Sequence, residues 1–329
     1  MLIPSCSGYG SVIRSPVIQR RACFSLLMLY QLAPYLIYQY QLTSEKEYNN
    51  RMAQTRRGAI GTIMGAAAVL AAQAPGATRY IRFRKGSTTA YGIVEGNAVN
   101  ELRGDPFASV KSTGTKHKLG DVKLLYPCVP PKVIAVGLNY KSHIGARTPP
   151  SRPEIFYKPI TCLQHPEEAI VIPEGAKNVH YEGELVLVIG KPALRVSAAQ
   201  ARDVIFGVTC GNDVSERDWQ NGSDKDLQWW RAKGADTFGP MGPAIVTGLD
   251  YDKLQLTTRL NGQVVQQQST SDLLFKPTDI ISFVSRYVAL APGDVIYTGT
   301  PGATKKMNPG DVVEVEIESI GILRNKVTA

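Results

Sequence analysis

His180-Tyr181-Glu182-Gly183-Glu184-Leu185-Val186-Leu187-Val188-Ile189-Gly190-Lys191 holds an unbroken aliphatic run, Leu185–Ile189, preceded by Gly183-Glu184 and closed by Gly190. The run has the length of a strand and is too short for a helix. Similar runs recur on both sides of it, at Lys132–Gly137, Val204–Thr209, Ala244–Thr247, Leu254–Leu260, Val295–Tyr297 and Val312–Ile317. Upstream, Arg79–Arg84 alternates with period two and Gly86 interrupts it. Ala90–Val94 resumes, and Glu95-Gly96-Asn97 turns the chain into Ala98–Leu102. These segments predict a small meander over 78–126. Leu125–Pro131, with Pro127, Pro130 and Pro131, reads as a linker. Helical patterns are few: Ser197–Asp203 with Ser197 as N-cap, and Pro277–Val288 with Thr278 as candidate cap. The expected fold is therefore a β-rich α+β chain, a mixed β-roll or barrel preceded by a small N-terminal β domain. No Gly-rich dinucleotide loop, GxSxG or Walker sequence is present.

On a strand, Glu182 and Glu184 point to the same face, roughly 6–7 Å apart along it. Two carboxylates leading into so apolar a strand are costly to bury unless a cation compensates them. Alone, Glu-x-Glu at a strand start is more often a pair of solvated side chains. A third carboxylate alters the balance: Asp213 ends the apolar run Val204–Cys210 through Gly211-Asn212, where a core strand emerges. Three carboxylates suit Mg²⁺ or Mn²⁺, with Ca²⁺ also compatible, better than zinc. Arg217 and Gln220 follow at i and i+3 on a helical turn, and Arg217 has the geometry to grip a carboxylate bidentately. Lys233 comes next, in Lys233-Gly234-Ala235-Asp236-Thr237-Phe238-Gly239-Pro240. Each also has a plain structural reading: Asp213 as a cap, Arg217 as a surface ion pair, Lys233 as a solvated loop charge.

Glu182-x-Glu184, Asp213-Val-Ser-x-Arg217-Asp-Trp-Gln220, Lys233…Thr237-Phe-Gly-Pro and Gly293-Asp-Val-Ile-Tyr-Thr-Gly-Thr300-Pro-Gly302 occur in this order. Together they resemble the fumarylacetoacetate hydrolase family over essentially Pro131–Val327, and the 78–126 meander is similar to the small N-terminal domain of many bacterial members. The resemblance implies a mixed β-roll catalytic domain over 127–329, usually dimeric, that binds Mg²⁺ or Mn²⁺. It also implies C–C hydrolysis or decarboxylation of β-diketo acids, or isomerisation and tautomerisation of 2-oxo acids. By motif matching, Glu182, Glu184 and Asp213 take the metal. Arg217, Gln220, Lys233 and Thr300 line the substrate site, as does Lys158 of Phe156-Tyr157-Lys158-Pro159.

The chemistry agrees with those residues. A 2-oxo acid chelates a divalent ion, which positions it as a Lewis acid would, and nearby lysines stabilise the charge of an enolate. A Lys158 or Lys233 of lowered pKa would also shuttle protons. His143, in Asn139-Tyr-x-x-His143, is the candidate base, and His180 a poorer one. Cys210 is a weaker candidate still, as a nucleophile. Family hydrolases often place a glutamate three residues after this histidine; here Ala146 stands there. Without that carboxylate, a less controlled His143 tautomer is expected unless Glu154 substitutes. The leading expectation is metal-dependent C–C hydrolysis of a small 2,4-dioxo acid. The alternatives are an isomerase, tautomerase or decarboxylase working by metal-assisted enolisation, and a non-catalytic exported binding protein.

The chain has 329 residues and a formal charge of +9. Residues 1–77 carry seven basic and two acidic side chains, leaving +4 on the other 252. The excess is largely N-terminal, so a nucleic-acid-binding face is not supported. Five cysteines without CxxC spacing argue against a disulfide framework and a thiolate metal site. From Met52, Arg56-Arg57, the small apolar stretch Gly58–Ala72 and Ala72-Gln73-Ala74 have the parts of an export signal. Residues 52–77 are thus a candidate leader to the periplasm or beyond, and 1–51 an extension of doubtful status. Without such a signal the chain is cytoplasmic. Phe24–Tyr40, broken by Gln31, Pro34 and Gln39, is a poor membrane span, so no stable span is expected.

Overall fold

The computed structural model describes Leu70 and residues 74–329. The candidate leader and the N-terminal extension lie outside the described residues, apart from Leu70 and the leader's last four positions. The chain opens with β1 (Thr78–Lys85), β2 (Thr88–Glu95), β3 (Ala98–Arg103), β4 (Lys111–Lys118) and β5 (Lys123–Leu125). β6 (Val133–Gly137), α1 (Lys141–Ile144), β7 (Glu154–Lys158), β8 (Leu163–Gln164), β9 (Ile170–Val171) and β10 (Val179–His180) follow. Next come β11 (Gly183–Ile189), α2 (Ala198–Ala201), β12 (Ile205–Asn212), β13 (Ser215–Glu216), α3 (Arg217–Asn221), α4 (Trp230–Gly234) and β14 (Gly239–Thr247). β15 (Gln255–Leu260), β16 (Gln263–Ser269), α5 (Pro277–Ser285), β17 (Val295–Tyr297), β18 (Val312–Ile317) and β19 (Gly321–Thr328) complete it.

The main sheet runs β4-β3-β2-β1-β14-β12-β11-β17-β6-β7, with β5 beside β1 and β8 beside β14. A second sheet runs β16-β15-β18-β19-β9. Pairing is mixed: β17–β6, β14–β8 and β19–β9 are parallel, the other ladders antiparallel. Both sheets are open at their edges, so the roll is not a closed barrel. Among the described residues no helix is long and apolar enough to cross a membrane.

β11 lies in the middle of the main sheet, which explains its uninterrupted apolar sequence: both faces are covered. Leu185, Leu187 and Ile189 pack into one cluster with Leu256, Ile280 and Ile317, while Val186 and Val188 pack into another with Met241, Ile245 and Tyr297. These five strand residues are fully buried, each contributing about 2 kcal/mol of hydrophobic stabilisation. By the period-two alternation, Glu184 extends the Val186–Val188 face.

Local expectations are met with two corrections. Ser197 caps α2 through a reciprocal box with Gln200. At α5 the cap is not Thr278: the cap position is Lys276, Pro277 takes the first turn, and the Asp279 carboxylate accepts the Lys276 N–H. Missing from the expected strands were β19, the short β5, β8, β9, β10 and β13, and also β4 and β16, whose sequences Lys-Ser-Thr-Gly-Thr-Lys-His-Lys and Gln-Val-Val-Gln-Gln-Gln-Ser carry little apolar alternation.

His165 sits where the N-terminal meander meets the second sheet. Its Nδ1 accepts the Tyr126 N–H at 2.9 Å, its ring stacks on Tyr126, and Asn325 donates to its carbonyl. Burial, aided by Lys123, Arg82 and Arg84 against Glu168, lowers its pKa from 6.5 to about 4. The unfolded chain therefore binds a proton here that the folded chain refuses. Stability is flat above pH 6.5 and falls as pH drops towards 4, by about 3 kcal/mol in total from this residue. Urea unfolding across that range is expected to show the slope. His165→Asn keeps an acceptor near Nδ1 but cannot titrate, and it should flatten the slope; an unchanged slope would assign it elsewhere.

Candidate active site

The antiparallel register of β11 and β12 brings distant carboxylates together. Gly183 pairs with Asn212 and Glu184 with Gly211, so Asp213 falls beside Glu182. The Asp213 N–H donates to the Glu182 carbonyl at 2.9 Å, and Asn212 Oδ1 accepts the Glu182 N–H at 2.8 Å. Glu182, Glu184 and Asp213 are buried, and one carboxylate oxygen from each lies within 4.8 Å of the others. The residue between the glutamates must be glycine. A Cβ on Gly183 would lie 2.1 Å from Thr258 Oγ1 of the neighbouring sheet.

Three cations converge on two of these carboxylates. Lys158, at the end of β7, donates from Nζ to Asp213 Oδ1 at 2.7 Å and to the Lys233 carbonyl. Lys233, on α4, donates to Glu182 Oε2 at 2.5 Å and Asp213 Oδ2 at 2.7 Å, and its ammonium lies over the Phe156 ring. Arg217, at the start of α3, donates from Nη2 to Glu182 Oε1 at 2.5 Å and to Thr304 Oγ1, and from Nη1 to Gln220 Oε1. Both Nη2 protons are thereby committed, so a bidentate grip on a carboxylate requires Arg217 to leave Glu182.

The electrostatics divide the triad. Burial pushes the Glu182 carboxyl up, but Arg217, Lys233 and His143 outweigh it and hold it well below the usual carboxylate range. Glu184 goes the other way. Burial first, then Asp213 and Glu182, raise its pKa well above the usual value, while Lys233 and the Gly299 N–H oppose only partly. Among the described residues the Gly299 N–H, at 2.7 Å, is its one hydrogen-bond partner, and no ammonium or guanidinium bonds to it. Gly299 has φ +103°, and a Cβ there would lie 2.8 Å from Asn139 Cβ; only glycine lets that N–H reach Glu184. For Lys158, burial lowers the pKa but Asp213 and Cys162 outweigh it, so the pKa is raised. Lys158 is held as an ammonium, and the expectation of a lowered lysine pKa is overturned there.

His143 sits on α1 at the mouth of the cleft. Its Nδ1 lies 2.6 Å from the Gly302 carbonyl, which only accepts, so Nδ1 carries the proton. Nε2, the bare nitrogen when the ring is neutral, then faces Glu182 Oε1, 3.9 Å away. A backbone carbonyl thus does the orienting that a carboxylate at position 146 would have done, and the expected loss of tautomer control is corrected. Glu154 is exposed at the start of β7 and makes no contact with His143 among the described residues. His180 is not in the cleft; it bonds Thr304 and Asn178, and burial together with Arg217 lowers its pKa to about 4. Cys210 is a core residue whose thiol is pushed up by burial, which disfavours a nucleophilic role.

The cleft is narrow, about 40 Å³, and is lined by the three carboxylates together with His143, Gln220, Lys233 and Thr300. Leu138, Phe156 and Trp229 give it an apolar wall. Thr300 contributes less than expected, since its hydroxyl donates to the Gly183 carbonyl at 2.9 Å and accepts from Gln266 Nε2 at 2.8 Å. Gln266, Thr304 and the Gly299 N–H were not found from the sequence. Gln266 lies in a polar run with no pattern marking it as buried, and the others act through tertiary contacts alone.

An oxygen-only set of three buried carboxylates, one of them without a cation bonded to it, suits a hard divalent ion. Glu182, Glu184 and Asp213 are the residues that would hold it.

Comparison with known proteins gives the chain's relatives. Residues 78–127 match a family model described as Rv2993c-like, N-terminal. The chain is 46% identical over 233 residues to Protein Rv2993c of Mycobacterium tuberculosis, covering 69% of this chain and 86% of that one. It is 40% identical over 210 residues to oxaloacetate tautomerase Fahd2a, mitochondrial, of Rattus norvegicus, covering 60% and 66% of the two chains. Among solved structures, 2-hydroxyhepta-2,4-diene-1,7-dioate isomerase from Mycobacterium marinum superposes with a TM-score of 0.71 at 41% identity, over 76% of this chain and 98% of that one. Residues 132–328, which contain every carboxylate and cation of this cleft, match the family model of the fumarylacetoacetate (FAA) hydrolase C-terminal domain. With sequence order, fold and family model in agreement, the chain belongs to the fumarylacetoacetate hydrolase family.

Proposed function

We propose that this enzyme moves a proton on a small 2-oxo acid, as a divalent-metal-dependent tautomerase or isomerase acting through the enol. The observation that carries this reading is His143, held through Nδ1 by the Gly302 carbonyl so that Nε2 faces a carboxylate triad whose Glu184 has no bonded cation. Mg²⁺ or Mn²⁺, when bound, would supply a Lewis acid for the acid's keto and carboxylate oxygens. His143 takes a proton from the carbon beside the keto group and delivers it to the enolate oxygen, giving the enol; the reverse transfer regenerates the keto form. Lys233 and Lys158 hold positive charge near the developing enolate, and Arg217, released from Glu182, binds a carboxylate of the substrate. The apolar wall of Leu138, Phe156 and Trp229 excludes water. Abstracting a proton from a carbon flanked by carbonyl groups needs only an oriented neutral imidazole. Activating water for C–C hydrolysis asks more of the base, and among the described residues Nδ1 of His143 is held by the Gly302 carbonyl and not by a carboxylate. The named activities of the rat relative and the M. marinum structure support the same reading.

Hydrolysis of a 2,4-dioxo acid is the second reading, favoured by the position of His143 Nε2 facing the cleft. Incubation with Mg²⁺ and oxaloacetate, following enol absorbance and released products together, separates the two. The expected result is faster keto–enol equilibration with no cleavage product, and a loss of about 10²–10⁴ in rate for His143→Ala. Stoichiometric release of a carboxylic acid from a short acylpyruvate would favour hydrolysis instead. Tight metal binding with no turnover of any oxo acid would leave a binding protein.

A further inference from the structure

Arg217 is tied on its far side to a chain of four polar side chains that ends at the protein surface. Arg217 Nη2 donates to Thr304 Oγ1 at 2.8 Å. Thr304 Oγ1 lies 2.9 Å from His180 Nδ1, and His180 Nε2 lies 2.8 Å from Asn178 Oδ1. Asn178 Nδ2 donates to Asp218 Oδ1 at 3.0 Å. The two ends fix every proton between them. The Asp218 carboxylate only accepts, so Asn178 presents its NH₂ there and its carbonyl to His180. His180 Nε2 must then carry the proton; in the neutral ring Nδ1 is bare, and the Thr304 hydroxyl donates to it. That leaves the Thr304 oxygen free to accept from Arg217, which only donates.

We propose that Asp218, Asn178, His180 and Thr304 form a one-directional hydrogen-bond relay that positions Arg217 for an anionic ligand. These are positioning residues, and none of them touches the cleft. The relay addresses a geometric problem stated above: Arg217 is held against Glu182 on one side, and it can receive a carboxylate only if something other than Glu182 keeps its guanidinium in plane. Thr304 holds the same nitrogen from the other direction, so release from Glu182 does not free the side chain to swing into solvent. The proposal rests on the reading of Arg217 as the substrate's carboxylate partner. It predicts opposite tautomers for two of the four histidines in the chain: Nε2–H for His180 and Nδ1–H for His143.

Two measurements test it on the full chain with Mg²⁺ present. Nitrogen-15 NMR of the imidazole rings at neutral pH is expected to show the Nε2–H form for His180; an Nδ1–H form would reverse the relay and overturn the proposal. Calorimetric binding of oxalate, a dianion, is expected to weaken about tenfold in Thr304→Val and in His180→Leu, the size of one lost charge-assisted hydrogen bond. Thr304→Ser restores the hydroxyl and should restore the affinity. KM for an oxo-acid substrate is expected to rise with the dissociation constant while kcat stays within about threefold, a split that general loosening of the fold would not give. If Arg217→Gln binds oxalate poorly but Thr304→Val and His180→Leu bind it like the wild type, the relay is wrong and the reading of Arg217 stands. If Arg217→Gln itself binds normally, both fall.

Discussion

Replacing Glu184 by glutamine is expected to make the metal-free protein more stable while abolishing its stabilisation by divalent ions. Glu184 is buried among two other carboxylates, bonds one backbone N–H and has no cation bonded to it. Its raised pKa is the sign of a charge that the fold alone does not accommodate. A glutamine keeps the acceptor for the Gly299 N–H and turns an NH₂ donor toward the neighbouring carboxylates, so the metal-free enzyme should gain about 1–3 kcal/mol in urea unfolding. The holo-protein should lose in the opposite sense. Wild type at an ion concentration of about 100 times Kd gains roughly 2.7 kcal/mol from binding, and the variant should gain almost none. Turnover should fall by at least about three orders of magnitude. An ion response equal to that of wild type would mean that the triad is not the metal site.

Lys158→Met is expected to cost about 3–5 kcal/mol of stability, the usual consequence of removing one partner from a buried ion pair. The Lys158 side chain is fully enclosed, and its ammonium holds both Asp213 and the carbonyl of Lys233. Methionine fills the volume of the stem but leaves Asp213 Oδ1 without its donor and frees the end of α4 that carries Lys233. Activity should drop at least about a hundredfold even where the protein remains folded, because Lys233 and Asp213 lose their fixed separation. Thermal unfolding and steady-state rates at a temperature where both proteins are folded give the two numbers. A variant as stable as wild type would show that Lys158 is solvated in the working enzyme.

Much of the fold was legible because the apolar runs matched strand length. β11, β17 and β18 emerged close to where their side chains predicted them, since each buries a regular set of Val, Leu and Ile residues. β4 and β16 were not legible, because their residues are mostly polar, Gln266 being buried without any apolar pattern to mark it, and their place in the sheets depends on the strands they pair with. The carboxylates of the site stood out as charges where an apolar run begins or ends. Thr300 was chosen for the cleft, but its hydroxyl is committed to the Gly183 carbonyl. Nothing in the local sequence could reveal that, because Gly183 is 117 residues away.

The sequence by itself determined the β-rich fold, the resemblance to the family and the chemical kind of each group: three acids, two lysines, an arginine and a histidine. Those properties follow from side-chain type and periodicity, which are local. The tertiary structure alone decided which acid lacks a cation, which imidazole nitrogen is bare and which arginine protons are free. Each depends on a partner far along the chain: Gly299 for Glu184, Gly302 for His143, Thr304 for Arg217. Hydrogen bonds and burial set charge and tautomer, and both exist only once the strands have brought those partners within about 3 Å.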